Sequence, residues 1–490
     1  MSIKRDTILI SAITGLALIL RLWQINSDLW LDEIITIVRY MRLSPFEALL
    51  TFHSANQHLL NSVLGSISIH VFGESVWAVR LSALLFGVAT IPAFFLLARL
   101  VTERREAIVA TLFLTLSYHH VWFTQNARGY SGMIFFTVLS TFFLIRWLGG
   151  PEKAGRRDLL WFSLSGVLGM MSLLSFAFIP VGQFLIALIQ LLKSRNWSAL
   201  RLLISSGVLM VALTLLGYAA TIPSIRSYFL GDSEDNFLGG SGGISQNLAS
   251  FSSQLEAGWK MLLDGLIIAL PAMAIPALLI GVVIALTGWV SYLQRMRFIA
   301  WILVLPSLFN ILLLAQLNWI VFPRSFLYVL PFGILVLVRG AFVMSDWAVR
   351  RSGSPGWGVH VLPVLMLIAC AVTLPFNYKY PKQNYTGSLA YTRALAGPDD
   401  VIAVVGYLEY GYRYLYDPEL VFPQSVQELE ALRGPDHRLW VLNSFTMDMK
   451  MRLPDIRDYL KQEFQLEQVF PGTLGDGNVY LRVSPEQAEP

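Results

Sequence analysis

Long apolar blocks alternate with short polar segments along this chain. The blocks lie at 7–24, 77–100, 107–124, 130–148, 158–174, 177–192, 200–222, 262–290, 298–317, 326–345 and 358–376. Most run about 17–25 residues, the length of a helix that crosses roughly 30 Å of hydrocarbon. A twelfth stretch, 58–72, is shorter and is interrupted by His58, Asn61 and His70, so it reads as a helix lying on the membrane surface. A single helix over 158–192 would be about 52 Å long at 1.5 Å per residue, which requires a turn near 172–178. Eleven spans result. After residue 377 the pattern changes. Strand-like runs at 401–405, 420–422, 439–442 and 479–483 alternate with helical patterns at 407–416, 425–433 and 455–464. This predicts a small α/β domain over 378–490.

Composition sharpens the class. Of 490 residues, 55% are hydrophobic and 14% charged, and the mean hydropathy is +0.58. Soluble proteins carry about 25% charge, so the expected fold is an all-α polytopic membrane protein with an external α/β domain. The basic residues cluster at Lys4-Arg5, Arg104-Arg105, Lys153/Arg156/Arg157, Lys193/Arg195/Arg201, Arg295/Arg297 and Arg350-Arg351. Two spans separate each neighbouring pair of clusters, which puts every cluster on the cytoplasmic side. The N-terminus is then cytoplasmic, its first apolar run being a retained span with no small-residue cleavage site after it. Outside fall the first loop 25–76, the segments 125–130, 223–258 and 318–325, and the tail. Loop 223–258 has few residues able to form a core and reads as mobile. The division is therefore a transmembrane domain, 1–377, and an external domain, 378–490. The single cysteine, Cys370, sits in an apolar span and cannot form an intramolecular disulfide.

Candidate chemistry gathers on the outer side. Leu29-Trp30-Leu31-Asp32-Glu33 places two adjacent carboxylates just after the first span. An acid here can cap the helix that follows. It can also serve as general base on an acceptor hydroxyl or amine, with its neighbour orienting the acceptor or binding a divalent ion. Side chains adjacent on a helix point about 100° apart, so the two acids have different jobs. Arg324 and Arg128 lie at outer helix ends, against the trend of the other arginines. They read either as snorkelling side chains or as phosphate ligands. His58 and Asn61 begin the surface helix, either as its polar face or as a wall of a headgroup cleft. Adjacent His119 and His120 point apart and do not suggest a metal site.

The order of motifs resembles a known family. Leu-Trp-Leu-Asp-Glu follows the first span, and Asn-Gln-His-Leu-Leu-Asn opens the surface helix. Phe-Gly-Glu-Ser-Val-Trp-Ala-Val-Arg-Leu-Ser opens the second span. Gln-Asn-Ala-Arg-Gly-Tyr and Pro-Arg-Ser-Phe-Leu-Tyr follow. Over about residues 7–345 this is similar to the bacterial relatives of the protein O-mannosyltransferases and the aminoarabinose transferase of lipid A, membrane glycosyltransferases of the GT-C fold. The resemblance implies a polyprenyl-phosphate-linked sugar donor, inversion at the anomeric carbon and an active site at the outer face. It implies Asp32 as base with Glu33 its partner, and Arg324 and Arg128 at the donor phosphate. It further implies His58, Asn61, Tyr130 and Tyr328 in the substrate cleft. Two departures stand out: His58 is followed by Leu-Leu where relatives carry proline, and Leu-Leu-Ser-Phe surrounds Ser175 in place of Tyr-Thr-His.

The expected activity is sugar transfer to a glycan, lipid or protein acceptor in a bacterial cytoplasmic membrane. The lipid bilayer is a partner and nucleic acid is not. No cofactor is required by the sequence, a divalent cation being the one candidate. Two other functions compete: a transporter or flippase of lipid-linked sugars, and a non-catalytic scaffold. Transporters show internal repeats and polar midplane residues, whereas the polar positions here gather at one face.

Overall fold

The computed structural model describes residues 2–149, 155–230, 274–317, 323–434, 436–473 and 477–485. They form two compact units. Unit 1 comprises Met1–Trp23, Pro45–Leu64 and Leu81–Leu374; unit 2 comprises Gln24–Ser44, Gly65–Arg80 and Pro375–Pro490. The first loop is thus divided, and its Asp32-Glu33 segment folds in the same unit as the tail.

Unit 1 is helical. Every predicted span falls on a helix, with 262–273 outside the described residues. Among the described residues, eight helices are long and apolar enough to cross a membrane, including Val76–Val101, Tyr130–Leu148 and Trp197–Tyr218. A ninth is counted if Arg104–Leu116 and Tyr118–Thr124, bent by 55°, form one span. The bend falls at Ser117, whose hydroxyl accepts the His120 N–H and caps the second piece. The two remaining predicted spans are helices of lesser apolar reach. Ser2–Leu22 carries Lys4, Arg5, Asp6 and Arg21, and Arg156–Ser172 is 17 residues long with three charges in its first turn. The turn expected near 172–178 is present: Leu173 is extended and a 3-10 turn, Leu174–Ala177, leads into the next helix.

The surface helix is Leu59–Phe72. Its polar Asn61, Ser62 and Ser66 are buried while Ile67, Val71 and Phe72 are exposed. That is the reverse of a helix on a soluble protein and suits one bathed in lipid. The segment read as mobile, 223–258, begins inside a helix, Ile222–Leu230; its remainder lies outside the described residues, as do 318–322.

Helix packing in unit 1 relies on small residues where backbones meet. A Cβ on Gly288 would strike the Val336 carbonyl, and one on Gly340 would strike the Ile284 carbonyl. Helices Ala274–Arg295 and Leu330–Ser352 therefore touch backbone to backbone, which only glycine permits.

Unit 2 contains a four-stranded sheet in the order β1-β2-β4-β3, with β1 Val401–Val405, β2 Leu439–Asn443, β3 Gln465–Phe470 and β4 Val479–Val483. β1 and β2 are parallel; β4 is antiparallel to β2 and β3. Ala403, Val405, Leu439 and Val441 pack on Leu429, Ile456 and Leu460. The run at 420–422 makes only an isolated bridge from Val421 to Ala403. β3 carries no apolar alternation because it is an exposed edge, with Gln465, Glu467 and Gln468 facing solvent.

Gly340→Val, which forces the two helices apart, is expected to destabilise the bundle by about 1–3 kcal/mol. Gly281→Ala, where a Cβ meets nothing within 4 Å, should leave thermal stability in detergent equal or slightly raised. Equal midpoints for the two variants would refute the close crossing.

Candidate active site

The acidic loop is held by ion pairs within unit 2. Helix Leu31–Thr36 starts one residue after Trp30. Glu33 closes this start, because its Oε2 accepts the Trp30 N–H at 2.9 Å. Asp32 is therefore inside the first turn and not its cap. Of the two acids, Glu33 does the capping.

Glu33 is wholly buried and so is Arg80. Arg80 Nε and Nη2 donate to Glu33 Oε1 and Oε2, both at 2.9 Å. The same guanidinium donates to the carbonyls of Ile25, Ser27 and Asp28, at 2.7, 2.9 and 3.2 Å. One arginine thus draws the turn that leads into the loop around the carboxylate. Lys382 Nζ lies 3.8 Å from Glu33 Oε2. Burial pushes the Glu33 carboxyl up, but the charges of Arg80 and Lys382 and the hydrogen bonds from Arg80 and Trp30 outweigh it and hold the pKa at about 2. Burial pulls the Lys382 ammonium well below its ordinary value, against the attraction of Glu33. The guanidinium of Arg80, with two bonds to the carboxylate, is the nearer counter-charge.

Further contacts fix the loop. The Leu29 N–H donates to Tyr416 Oη at 3.0 Å. Asp28 accepts from the Thr386 N–H at 2.8 Å and from its hydroxyl at 3.0 Å. Trp30 meets Phe445 edge to face, with centroids 5.5 Å apart. Phe445 itself has φ +53°, a left-handed conformation rare outside glycine. Asp32 is half-buried.

A second cluster lies in unit 1. His58 precedes the surface helix and is buried. Its Nδ1 accepts the Gly129 N–H at 2.6 Å, and its Nε2 lies 3.0 Å from Arg128 Nη2. Arg128 also bonds Asn56 Oδ1 and lies over the Tyr130 ring, 5.7 Å from its centroid. Burial, then the charges of Arg128 and Arg324, pull His58 well below the ordinary histidine value, so the ring is neutral and acts as an acceptor. Arg324 is half-buried in the 3-10 turn Pro323–Val329.

Asn61 and Tyr328 are engaged internally. Asn61 donates to the Ala127 carbonyl at 2.9 Å and accepts from Ser82 at 2.8 Å. Tyr328 is wholly buried, with its hydroxyl bonded to Asn310 at 3.1 Å and to the Pro306 carbonyl at 3.3 Å. Tyr130 packs on His58 and Phe123. A Cβ on Gly129 would strike both the Ser172 carbonyl and His58. His58 and Ser172, the last residue of helix Arg156–Ser172, therefore both border this glycine.

Arg80, Lys382 and Asp28 escaped the reading of the sequence. Arg80 had a signal: it lies four residues into an apolar span, where an arginine needs a partner. Lys382 had none, because its environment is made by segments far away in the chain.

Glu33 is not placed to bind a divalent cation. Both Glu33 oxygens face cations and N–H donors, which repel a metal ion. Among the described residues no group of three or more His, Cys, Asp or Glu could hold one.

The sequence profile of the dolichyl-phosphate-mannose-protein mannosyltransferases matches residues 59–218, about a third of the chain. No curated protein sequence matches it. Among solved structures, ArnT from Cupriavidus metallidurans bound to undecaprenyl phosphate aligns over 99% of this chain and 98% of its own, with a TM-score of 0.53 and 13% identity. Its apo state gives 0.53 and 14%, covering 99% of each chain. An Archaeoglobus fulgidus oligosaccharyltransferase gives 0.49 and 14%, covering 90% of this chain and 68% of that one. The match to ArnT takes in the tail, which the motif resemblance did not reach. Profile and fold together give the class: a chain of the GT-C fold, with membrane-length helices, that is similar over residues 59–218 to the dolichyl-phosphate-mannose-protein mannosyltransferases and in fold to ArnT.

Glu33→Gln or Arg80→Met alone should cost about 3–5 kcal/mol, because each leaves a buried charge unpaired. Glu33 is depressed from 4.5 to about 2, so the unfolded chain binds the extra proton. Its contribution is complete above pH 4.5 and is lost as pH falls toward 2. Thermal midpoints measured from pH 6 to pH 2.5 should fall less steeply in Glu33→Gln than in wild type. The double variant Glu33→Gln/Arg80→Met should lose less than the sum of the two single ones; additive losses would show that the pair is not coupled.

Proposed function

We propose that this protein transfers a sugar from a polyprenyl-phosphate-linked donor to a glycan, lipid or protein acceptor at the outer face of a bacterial cytoplasmic membrane. The reading rests on the division between the two acids. Glu33 is fully enclosed in an internal ion pair with Arg80, whereas Asp32, on the same short helix, keeps part of its surface open and is the acid assigned to the chemistry. Asp32 takes the proton from the acceptor hydroxyl or amine as that atom attacks the anomeric carbon. The bond from the sugar to the lipid phosphate breaks on the opposite face, and the configuration inverts. The departing polyprenyl phosphate carries negative charge, which Arg324 and Arg128 offset. Neutral His58 accepts the Gly129 N–H at Nδ1 and so holds the turn that carries Arg128 in place. The fold likeness to ArnT, captured with undecaprenyl phosphate, supports the lipid carrier. The basic clusters at alternate helix ends support the orientation, with the tail outside.

Purified protein in liposomes, given a panel of polyprenyl-phosphate sugars and a membrane glycan extract as acceptor, should release polyprenyl phosphate. Asp32→Asn should lower turnover by roughly 10²–10⁴-fold at unchanged thermal stability. Equal turnover in the two proteins would remove Asp32 from the chemistry. Arg324→Gln should lower kcat by about 10²-fold, with Arg324→Lys recovering part of the loss. An effect of Arg324→Gln on KM alone would make it a binding residue and not a stabiliser of the leaving group.

A further inference from the structure

One end of unit 1 holds a cavity that the proposed chemistry does not use. It measures about 770 Å³, within the roughly 300–1,000 Å³ of small-molecule sites. It opens between the start of helix Arg104–Leu116 and the last turns of Ala274–Arg295 and Leu330–Ser352. At its floor Arg339 donates to Glu106 at 2.5 Å and to the Ser291 hydroxyl at 3.0 Å. At its rim Arg105 pairs with Glu103 at 3.1 Å, and Arg350 with Asp346 at 2.7 Å.

The charges do not cancel. Each of the three carboxylates is already bonded to one arginine. A fourth arginine, Arg295, lines the cavity and forms no ion pair among the described residues. The surplus of one guanidinium matches a single phosphodiester. On the same helix Leu286 and Val290 also line the cavity, 56% and 46% exposed. A free anion has no use for apolar side chains beside its site, whereas a lipid does. An ammonium headgroup would find no carboxylate still awaiting a cation.

We propose that this cavity binds the phosphodiester of an anionic phospholipid from the leaflet at this end of the bundle. Arg295 supplies the charge, and Leu286 and Val290 take the upper acyl chain. The assignment is independent of the transfer reaction; with the orientation proposed above, the leaflet is the cytoplasmic one.

Delipidated protein in neutral detergent would be titrated with short-chain phosphatidylglycerol, phosphatidylethanolamine or inorganic phosphate, with binding followed by the rise in thermal midpoint. Phosphatidylglycerol should bind, and Arg295→Gln should weaken it by tenfold or more. Arg295→Lys should keep most of the affinity. Leu286→Ala should weaken the lipid several-fold, and Arg201→Gln, at an exposed basic position elsewhere, should match wild type. Undiminished binding by Arg295→Gln would overturn the proposal. Inorganic phosphate binding as tightly as the lipid would make this a free-anion site, and equal binding of phosphatidylethanolamine would remove the requirement for net charge; either result overturns it.

Discussion

The buried pair of Glu33 and Arg80 is the interaction on which the acidic loop depends. A carboxylate and a guanidinium with no exposed surface are costly to take out of water, and their attraction offsets that cost only when geometry is good and the remaining polar atoms are bonded. Here both conditions hold. The guanidinium meets the carboxylate with two parallel bonds, and its other N–H groups reach three carbonyls of the approaching chain. The carboxylate in turn closes the first turn of the helix that carries Asp32. A loop that would otherwise sample many conformations is thereby reduced to one, and Asp32 is presented from a fixed backbone.

The same constraint explains why the tail and the loop share a unit. Lys382, Thr386, Tyr416 and Phe445 all come from beyond residue 375, and each touches the segment 28–33 or its ion pair. Such contacts order a short helix that could not be stable alone, since six residues make too few internal hydrogen bonds. In unit 1 polar side chains play a comparable part. The cluster of His58, Arg128, Asn56 and Asn61 joins the start of the surface helix to the turn at 127–129. A neutral imidazole suits this place, because a charged one beside Arg128 and Arg324 would be repelled.

Much of the fold is legible in the residues alone. Apolar blocks of membrane length became helices, and the break near 173 followed from a length too great for the hydrocarbon. Three of the four strand-like runs of the tail became strands. The exceptions have local causes. Ser117 breaks a predicted span by capping a new helix in its middle, and β3 is an edge strand whose polar exposed face carries no alternation to read. The run at 420–422 makes one bridge only, because too little chain pairs with it.

The site divides along the same line. Sequence by itself determined the class of chain, the placing of helices and the presence of two acids after the first span, because hydrophobic period, length and charge placement are local properties. It could not say which acid is structural. That was decided by Arg80, 47 residues away, and by Lys382, some 350 residues away, arriving at the same carboxylate. Burial and ion pairing depend on what the folded chain brings from elsewhere, and no pattern around residue 33 records it. Only the tertiary structure separates Glu33, which holds the loop, from Asp32, which the loop presents.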